Sequence, residues 1–423
     1  MKKTVLIIAA MFVCGAVCAQ DRSKVKYGEE NATEYVLPDL MTCNDGSKVT
    51  SVKQWEGKRR PEIMEYLSSQ EYGHTPADKI AVRYELVSEK NDALGGKATM
   101  RQVRFIFSNG EKEMEAVALM FIPNARKGRV PVFVGYNFKG NHSTIDDDSI
   151  VYTPNFSLVK GPENPDWKRG CQTSRWSYDK IIDRGYAVIT MCYHDIYPDA
   201  NGMEMRDHSI CSLFPDYRQH AAWSDGWGAI GAWAWGSSRM ADYLATQKWA
   251  DPNKLIVIGH SRQGKAALWA GAQDKRFKVV ISNDSGCSGA ALSKRVIGEN
   301  INIIYNTFPW WFCPAYKLYD GNEAALPFDQ HELIACIAPR FVYVASAEED
   351  NWADQRGEFL ATSFAEPVFS LYGMKGLGTT EMPGIHQPIM HDAGYHIRAG
   401  VHDVTEYDWE RYMDFCDMHF GRK

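Results

Sequence analysis

The sequence predicts an α/β fold, a three-layer α/β/α sandwich with a mixed, mostly parallel sheet. Three observations lead to this prediction. Short runs of β-branched and apolar residues alternate with segments of helical periodicity. An earlier pair of strand-like runs is joined by a hairpin signal, and a later strand runs into a helix through a tight turn with serine at its apex. Alternating strands and helices build a parallel sheet covered on both faces, and the hairpin adds antiparallel strands to it.

The elements follow in a simple order along the chain. Residues 80–87 and 101–107 are predicted strands, and Ser108-Asn109-Gly110 is a hairpin signal before a third strand at 115–122. The later strands are short apolar runs bounded by turns, as buried parallel strands are; they are 129–134, 186–191, 255–258, 277–281 and 340–346. The predicted helices are 174–183, 229–246, 265–272 and a closing helix at 406–420.

The N-terminus has the pattern of an export signal. Met1-Lys2-Lys3 is a short basic start, an apolar stretch follows over residues 5–17, and Val17-Cys18-Ala19 resembles a cleavage site. The apolar stretch is too short to cross a bilayer comfortably, and no later segment has the ~18 consecutive apolar residues needed for a span. We expect a cleaved Sec signal peptide over residues 1–19 and a periplasmic or extracellular mature protein. A wrapping segment over 20–75 and a single catalytic domain over 76–423 would follow.

Charge and cysteine content exclude several function classes. The formal net charge is −6, which argues against nucleic acid or an anionic membrane surface as the main partner. Eight of the ten cysteines lie beyond the signal, are widely scattered and form no CxxC pair, so neither a zinc site nor an iron–sulfur site is expected. An oxidising compartment permits disulfides, but the sequence does not assign pairs. We expect no metal and no organic cofactor.

The serine turn has the features of a hydrolase nucleophile. The strand at 255–258 continues into residues 259–265, GHSRQGK, and then into a helix, which places Ser261 at the apex of a strand–turn–helix. Such an elbow, typical of the α/β-hydrolase fold, exposes the serine Oγ above the sheet. The backbone N–H of Arg262 is then the natural oxyanion donor. The usual motif is G-x-S-x-G, whereas here the second glycine comes one residue later, at Gly264. Helix N-capping is the alternative role for Ser261.

Two cations flank the predicted nucleophile. Lys265 lies one helical turn after Ser261, so both side chains project from one face, and Arg262 is adjacent. Helical side chains lean toward the N-terminus, which brings the Lys265 ammonium toward the pocket. Such a site suits a substrate rich in oxygen acceptors. Two solvated surface cations are the alternative.

The general base and its acid partner are expected C-terminal to the serine, in the chain order of α/β hydrolases. His402 stands in a glycine-containing loop just before the closing helix, whereas His396 lies in a strand-like run and is interpreted as structural. Asp350 follows the strand at 340–346, where a carboxylate can hold the base in its tautomer. Asp284, just past the preceding strand, is the alternative acid.

Taken together, these motifs resemble the glucuronoyl esterases, carbohydrate esterase family 15. Residues 259–265 match the G-x-S-R-x-G-K signature of that family. Further matches follow in order: 284–289 (DSGCSG), Glu299, 305–312 (YNTFPWWF), 349–354 (EDNWAD), 395–398 (YHIR), His402 and 407–409 (YDW). The resemblance spans most of residues 125–420.

The resemblance implies hydrolysis of the ester between 4-O-methyl-D-glucuronic acid of glucuronoxylan and lignin alcohols, through a glucuronoyl-enzyme intermediate. By position, it implies that Ser261 attacks, His402 is the base and Arg262 contributes to the oxyanion hole. Lys265, Glu299 and Trp352 would contact the glucuronate. Fungal members carry a glutamate as acid where this chain has the shorter Asp284, whereas bacterial members often have an acid where Asp350 stands. By analogy the enzyme is expected to be a monomer.

Two other functions compete with this one. An acetyl xylan esterase, or another carbohydrate deacetylase, would use the same nucleophile, but an acetyl group offers Arg262 and Lys265 no polar acyl part to bind. A non-catalytic carbohydrate-binding protein would bind xylan oligomers without turnover, and the intact set of Ser261, acid and His402 argues against it.

Overall fold

The computed structural model describes residues 25–155, 158 and 167–422 of the chain. The predicted signal peptide over residues 1–19 lies outside the described residues, and its cleavage stays a prediction. None of the helices that are described has the length and apolar character that a bilayer span requires.

Within the described residues, ten strands form one sheet, in the order β1-β2-β3-β5-β4-β6-β7-β8-β10-β9. The strands are β1 (Ala81–Ala93), β2 (Ala98–Ser108), β3 (Glu113–Pro123), β4 (Val130–Asn137), β5 (Ala187–Cys192), β6 (Ala250–His260), β7 (Phe277–Asn283), β8 (Phe341–Ala347), β9 (Ile389–Met390) and β10 (Ala393–Arg398). In the middle of the sheet, the neighbouring strands β5, β4, β6, β7, β8 and β10 pair in parallel. At the two sides, β1, β2, β3 and β9 pair antiparallel to their neighbours. The predicted mixed, mostly parallel sheet of an α/β-hydrolase is therefore confirmed.

Helices cover both faces of this sheet. They are α1 (Val52–Gln54), α2 (Arg60–Leu67), α3 (Tyr178–Asp183), α4 (Met203–Asp207), α5 (Tyr217–His220), α6 (Ala229–Thr246), α7 (Arg262–Gln273), α8 (Ile301–Thr307), α9 (Gln330–Ala335), α10 (Gln355–Phe364), α11 (Glu366–Leu371) and α12 (Glu406–Phe420). The side chains of α6 and α7 belong to one hydrophobic core, and those of α3 and α12 belong to a second core.

The alternation of side chains along a central strand explains the two cores. In β6, Val257 belongs to the core under α6 and α7, whereas its neighbour Ile256 belongs to the core under α3 and α12. Successive residues of a strand point to opposite faces, so a strand buried on both faces must be apolar at every position. That requirement produced the continuous apolar runs from which the parallel strands were predicted.

Several predicted boundaries differ from the structure, and the strand predicted at 80–87 continues to Ala93. The helix predicted at 174–183 begins only at Tyr178, because Trp176 has extended backbone after a short 3₁₀ turn. The helix predicted at 265–272 begins earlier, at Arg262, directly after the serine. The strand predicted at 255–258 extends back to Ala250.

The segment before β1 packs across the helical layer. Arg59 pairs with Glu332 of α9, both buried, and Arg60 donates to the carbonyl oxygens of Ala272 and Cys336. Tyr72 donates to the Ser288 carbonyl oxygen at 3.0 Å. These contacts connect residues 59–72 to the end of α7, to α9 and to the turn after β7.

Buried aromatic and thiol side chains fill the cores. Trp227, Trp233 and Trp235 are buried at the start of α6 and just before it, whereas Trp223 is exposed. Core packing, rather than a sugar cleft, is thus the role of most of this aromatic stretch. The eight cysteines of the described residues are all free thiols, and all but Cys171 are buried.

We expect Leu333→Ala to destabilise the protein by about 2–5 kcal/mol, because Leu333 of α9 is fully buried and its truncation leaves a cavity. Leu318→Ala is the matched control, since that side chain is 71% exposed and should change stability by no more than about 0.5 kcal/mol. Urea unfolding followed by tryptophan fluorescence measures both variants. Equal midpoints for the two would contradict the described packing.

Candidate active site

Ser261 stands at a strained turn between β6 and α7. Its backbone angles, φ 57° and ψ −130°, lie where few non-glycine residues are found, and its N–H donates to the Asn283 carbonyl oxygen at 2.8 Å. A Cβ at Gly259 would lie 1.8 Å from the Gln263 carbonyl oxygen, and one at Gly264 would lie 2.8 Å from Ser285 Cβ. The later glycine of the motif is therefore the one needed for close contact between α7 and the neighbouring turn.

Arg262 is the first residue of α7, where helix N–H groups have no intrahelical acceptor. Its guanidinium is fixed by the protein. One Nη donates to Asp199 Oδ2, and the guanidinium carbon lies 4.8 Å from the centroid of the Trp311 ring and 5.5 Å from that of Phe308. Arg262 is therefore not a free surface cation: its backbone faces the elbow while its side chain is held against an aromatic wall.

Asp199 organises that wall and was not identified from the sequence. It follows β5 and is almost fully buried. Its Oδ1 accepts from the indole N–H groups of Trp310 at 2.9 Å and Trp311 at 2.6 Å, and its Oδ2 accepts from Tyr193 at 2.9 Å as well as from Arg262. Burial alone would raise the pKa of Asp199, but the Arg262 charge and these hydrogen bonds lower it overall. Asp199 is thus an ionised centre for four donors.

His402 and Asp350 form a directly hydrogen-bonded pair. The two atoms His402 Nδ1 and Asp350 Oδ2 are 2.6 Å apart, with the imidazole 41% exposed and the carboxylate buried. Asp350 follows β8 and His402 follows β10. The His402 ring lies 4.4 Å, between centroids, from the ring of His260, the residue before Ser261. The structure thus brings the predicted base and acid to the serine elbow.

His396 is held in the interior of β10. It is fully buried, with Nε2 2.9 Å from Asp408 Oδ1 and Nδ1 2.9 Å from the Tyr343 hydroxyl. Its interpretation as a structural histidine is confirmed by these contacts.

Asp284 lies beside the His402–Asp350 pair without a hydrogen bond of its own. Its two oxygens are buried and unpartnered, and Arg398 Nη2 is 3.5 Å away. Burial raises the pKa of Asp284 well above its usual range, and the nearby Glu358 and Asp350 raise it further. The Asp284 carboxylate thus makes no hydrogen bond to the imidazole, whereas Asp350 does, which favours Asp350 as the partner of His402.

Asp284, Asp350 and His402 are also the set of described residues whose ligand atoms come closest together, all within 4.8 Å. Metal–nitrogen and metal–oxygen bonds of about 2 Å place neighbouring ligands of a tetrahedral ion roughly 3.3 Å apart. The 2.6 Å between His402 Nδ1 and Asp350 Oδ2 is instead a hydrogen-bond distance. The pair fits proton transfer rather than metal binding.

Lys265 is buried one turn after Ser261. Its Nζ donates to the carbonyl oxygens of Ser285 and Cys287, the latter at 2.6 Å, and lies 3.8 Å from Glu299 Oε2. An ammonium has three N–H donors and no acceptor. Two of the donors are used by the Ser285 and Cys287 carbonyls, which leaves the third for the side of Glu299. The alternative of a solvated surface cation does not hold for Lys265.

Glu299 and Trp352 meet next to this ammonium. The Glu299 N–H donates to the Trp352 carbonyl oxygen at 2.8 Å, and the Trp352 side chain donates to the Glu299 carboxylate. Burial raises the pKa of Glu299 above its usual range, and the nearby Lys265 charge offsets only part of this rise. Trp352 is partly exposed. The structure thus gathers Lys265, Glu299 and Trp352 on one side of the elbow, where their hydrogen-bonding groups and an indole surface are fixed together.

The chain is similar in sequence to known esterases. A family model described as fungal glucuronyl esterase matches residues 172–373. Carbohydrate esterase MZ0003, from an unknown prokaryotic organism, is 41% identical over 414 residues, which cover 95% of this chain and 94% of that protein. The 4-O-methyl-glucuronoyl methylesterase of Neurospora crassa is 32% identical over 382 residues, covering 87% and 82% of the two chains.

The chain is also similar to solved structures. A glucuronoyl esterase from Solibacter usitatus superposes with a TM-score of 0.85 at 42% identity, over 93% of this chain and 100% of that one. A promiscuous esterase of carbohydrate esterase family 15, from a marine bacterial metagenome, superposes with a TM-score of 0.84 at 40% identity and the same coverage. The similarity therefore extends over the whole catalytic fold.

The two aspartates can be separated by a pair of isosteric variants. We expect Asp350→Asn to lower kcat on p-nitrophenyl acetate by about 10²- to 10⁴-fold, because the amide no longer holds His402 in the right tautomer. Asp284→Asn should change kcat by less than about threefold, since the carboxylate it replaces makes no hydrogen bond to His402. A larger loss in Asp284→Asn than in Asp350→Asn would reverse the assignment.

Proposed function

Since the chain belongs to the glucuronoyl esterases of carbohydrate esterase family 15 and is thus a carboxylic ester hydrolase, we propose that it cleaves esters of 4-O-methyl-D-glucuronic acid on glucuronoxylan. The alcohol side of the ester would be a lignin alcohol. One observation carries this proposal: the buried Lys265, one helical turn after Ser261, has its Nζ 3.8 Å from Glu299 Oε2. A donor and an acceptor fixed in this way suit an acyl group that carries hydroxyls.

The proposed reaction begins with attack of Ser261 Oγ on the ester carbonyl. His402 takes the serine proton, and Asp350 at Nδ1 stabilises the resulting imidazolium. The oxyanion would accept from the Arg262 N–H at the positive end of α7. The protonated His402 then delivers its proton to the leaving alcohol. Water activated by the same imidazole releases the uronic acid from the serine ester. No step of this sequence requires a metal or cofactor.

The uronate would bind on the Lys265 side of the elbow. In the proposed complex, the third N–H of Lys265 and the carboxylate of Glu299 meet sugar hydroxyls, and the Trp352 indole covers the ring face. All of these groups come from one chain, which supports action as a monomer. The basic and apolar N-terminal sequence supports export to the periplasm or the extracellular medium.

A carbohydrate deacetylase is the second candidate, because its chemistry at Ser261 would be the same. The pairing of Lys265 with Glu299 counts against it, because an acetyl ester has no hydroxyl for either group to bind. A non-catalytic carbohydrate-binding role is disfavoured by the hydrogen-bonded His402–Asp350 pair beside the strained serine.

We expect purified wild type to hydrolyse benzyl glucuronate, and Ser261→Ala to lose activity by at least about 10³-fold, because no nucleophile remains. Release of benzyl alcohol is measured by chromatography. Ser370→Ala, at an exposed serine of α11, is the control and should keep full activity. Failure of folded wild type to cleave this ester would contradict the proposal, and activity on phenyl acetate alone would favour the deacetylase.

Lys265→Met tests the acyl-group preference. We expect it to raise KM for benzyl glucuronate by about 10- to 100-fold, because a charged hydrogen bond to the sugar is lost, and to leave kcat/KM on p-nitrophenyl acetate within about threefold. Lys294→Met is the matched control, since Lys294 is an equally buried lysine that donates to the carbonyl oxygens of Glu323 and Ala324. Equal losses on both esters would assign Lys265 a purely structural role.

A further inference from the structure

The turn at residues 284–289, which follows β7, presents backbone carbonyls to Lys265. Its backbone is tightly folded, with positive φ at Asp284, Gly286 and Ser288. Two of its carbonyl oxygens, those of Ser285 and Cys287, accept from Lys265 Nζ. The position of the ammonium therefore depends on the conformation of this turn.

Glu358 of α10 accepts hydrogen bonds from the first half of the 284–289 turn. Its side chain is fully buried. Its Oε1 accepts from the N–H of Ser285 at 2.8 Å and from the N–H of Gly286 at 2.9 Å, while Oε2 accepts from the Ser346 hydroxyl at 2.6 Å. One carboxylate thus satisfies two successive N–H groups of the turn and connects them to the end of β8.

The second half of the turn is held by different groups. Tyr72 donates to the Ser288 carbonyl oxygen at 3.0 Å, and the Tyr316 hydroxyl lies 2.6 Å from Ser288 Oγ. Both tyrosines are fully buried. The Gly286 N–H that Glu358 accepts belongs to the same peptide group as the Ser285 carbonyl, so loss of Glu358 would leave this peptide group without its acceptor and free it to shift.

We propose that Glu358 is a positioning residue for uronate recognition: by fixing the 284–289 turn, it holds the two carbonyls that place Lys265 Nζ beside Glu299. This inference rests on the proposed function, because it assigns Glu358 an effect on the uronate part of the substrate. Glu358 itself is buried below the turn and acts through Lys265. A carboxylate that served only the stability of the fold would affect every substrate alike.

The test compares two esters on each variant. We expect Glu358→Ala to raise KM for benzyl glucuronate by about 10- to 100-fold, because displacement of a binding group by about 1 Å costs that much, and to leave KM for p-nitrophenyl acetate within about twofold. Glu358→Gln, which keeps an acceptor for the two N–H groups, should restore most of the affinity. KM does not depend on the fraction of protein that is folded, so a loss of stability does not imitate this result.

Two further variants make the comparison specific. Glu332→Ala removes another fully buried glutamate, one that pairs with Arg59 instead of the turn, and should leave both KM values unchanged. In the Lys265→Met background, Glu358→Ala should cause no further rise in KM for the glucuronate, because its effect passes through the lost ammonium. If Glu358→Ala does not accumulate as folded protein, Ser346→Ala should give a smaller rise of about threefold.

Equal changes in KM on both esters, or additive effects of Glu358→Ala and Lys265→Met, would overturn the positioning role. These results differ from a failure of the proposed function itself. If the proposed function is wrong, wild type does not cleave benzyl glucuronate, or Lys265→Met has the same KM for it as wild type. Either result is independent of the effect of Glu358→Ala.

Discussion

The strained turn at Ser261 is the constraint on which the site depends. A non-glycine residue with positive φ persists only where the surrounding structure holds it, and here the strand before it, the helix after it and the bond to the Asn283 carbonyl all do so. Gly259 and Gly264 are needed because the chain passes within contact distance of itself at both positions. Once this turn is set, Arg262 must begin α7 and Lys265 must lie one turn further on. The predicted nucleophile and the cation proposed to bind the acyl group are thus fixed by a single local geometry.

The charges around the elbow are held by the protein before any substrate arrives. Asp199 and an aromatic wall fix the Arg262 guanidinium, and two backbone carbonyls fix the Lys265 ammonium. Groups that are already oriented need little reorganisation when the substrate binds, which is how preorganised sites gain rate and selectivity. The arrangement also explains why the Lys265 ammonium is tolerated away from bulk water: it has acceptors of its own, so the desolvation of its charge is offset in the free enzyme.

Local sequence patterns predicted the sheet and the strand–turn–helix at Ser261 well, because each depends on consecutive residues. Buried parallel strands require continuous apolar runs, and the serine elbow requires a strand, small residues and a helix in succession. The family was predicted from ordered motifs and is confirmed. Asp199 and Glu358 had no such signal: each gathers donors from distant segments, and only the folded chain brings these together. Helix starts were less exact for a related reason, since Trp176 departs from helical geometry in a stretch that has no local breaker.

The choice between Asp350 and Asp284 shows why position along the chain could not decide the acid. Both follow adjacent parallel strands, β7 and β8, so both reach the same edge of the sheet. What separates them is charge balance. Arg398, the nearest cation to Asp284, already donates to Asp408 at 2.8 Å and stands 3.5 Å from Asp284, so it compensates a second buried charge only weakly. Two carboxylates beside one imidazole repel each other, which adds to the rise that burial causes in the pKa of the less compensated one, Asp284. Asp350 is instead hydrogen-bonded to His402 Nδ1, so the geometry favours Asp350 as the group that would stabilise the imidazolium in a serine–histidine–aspartate mechanism.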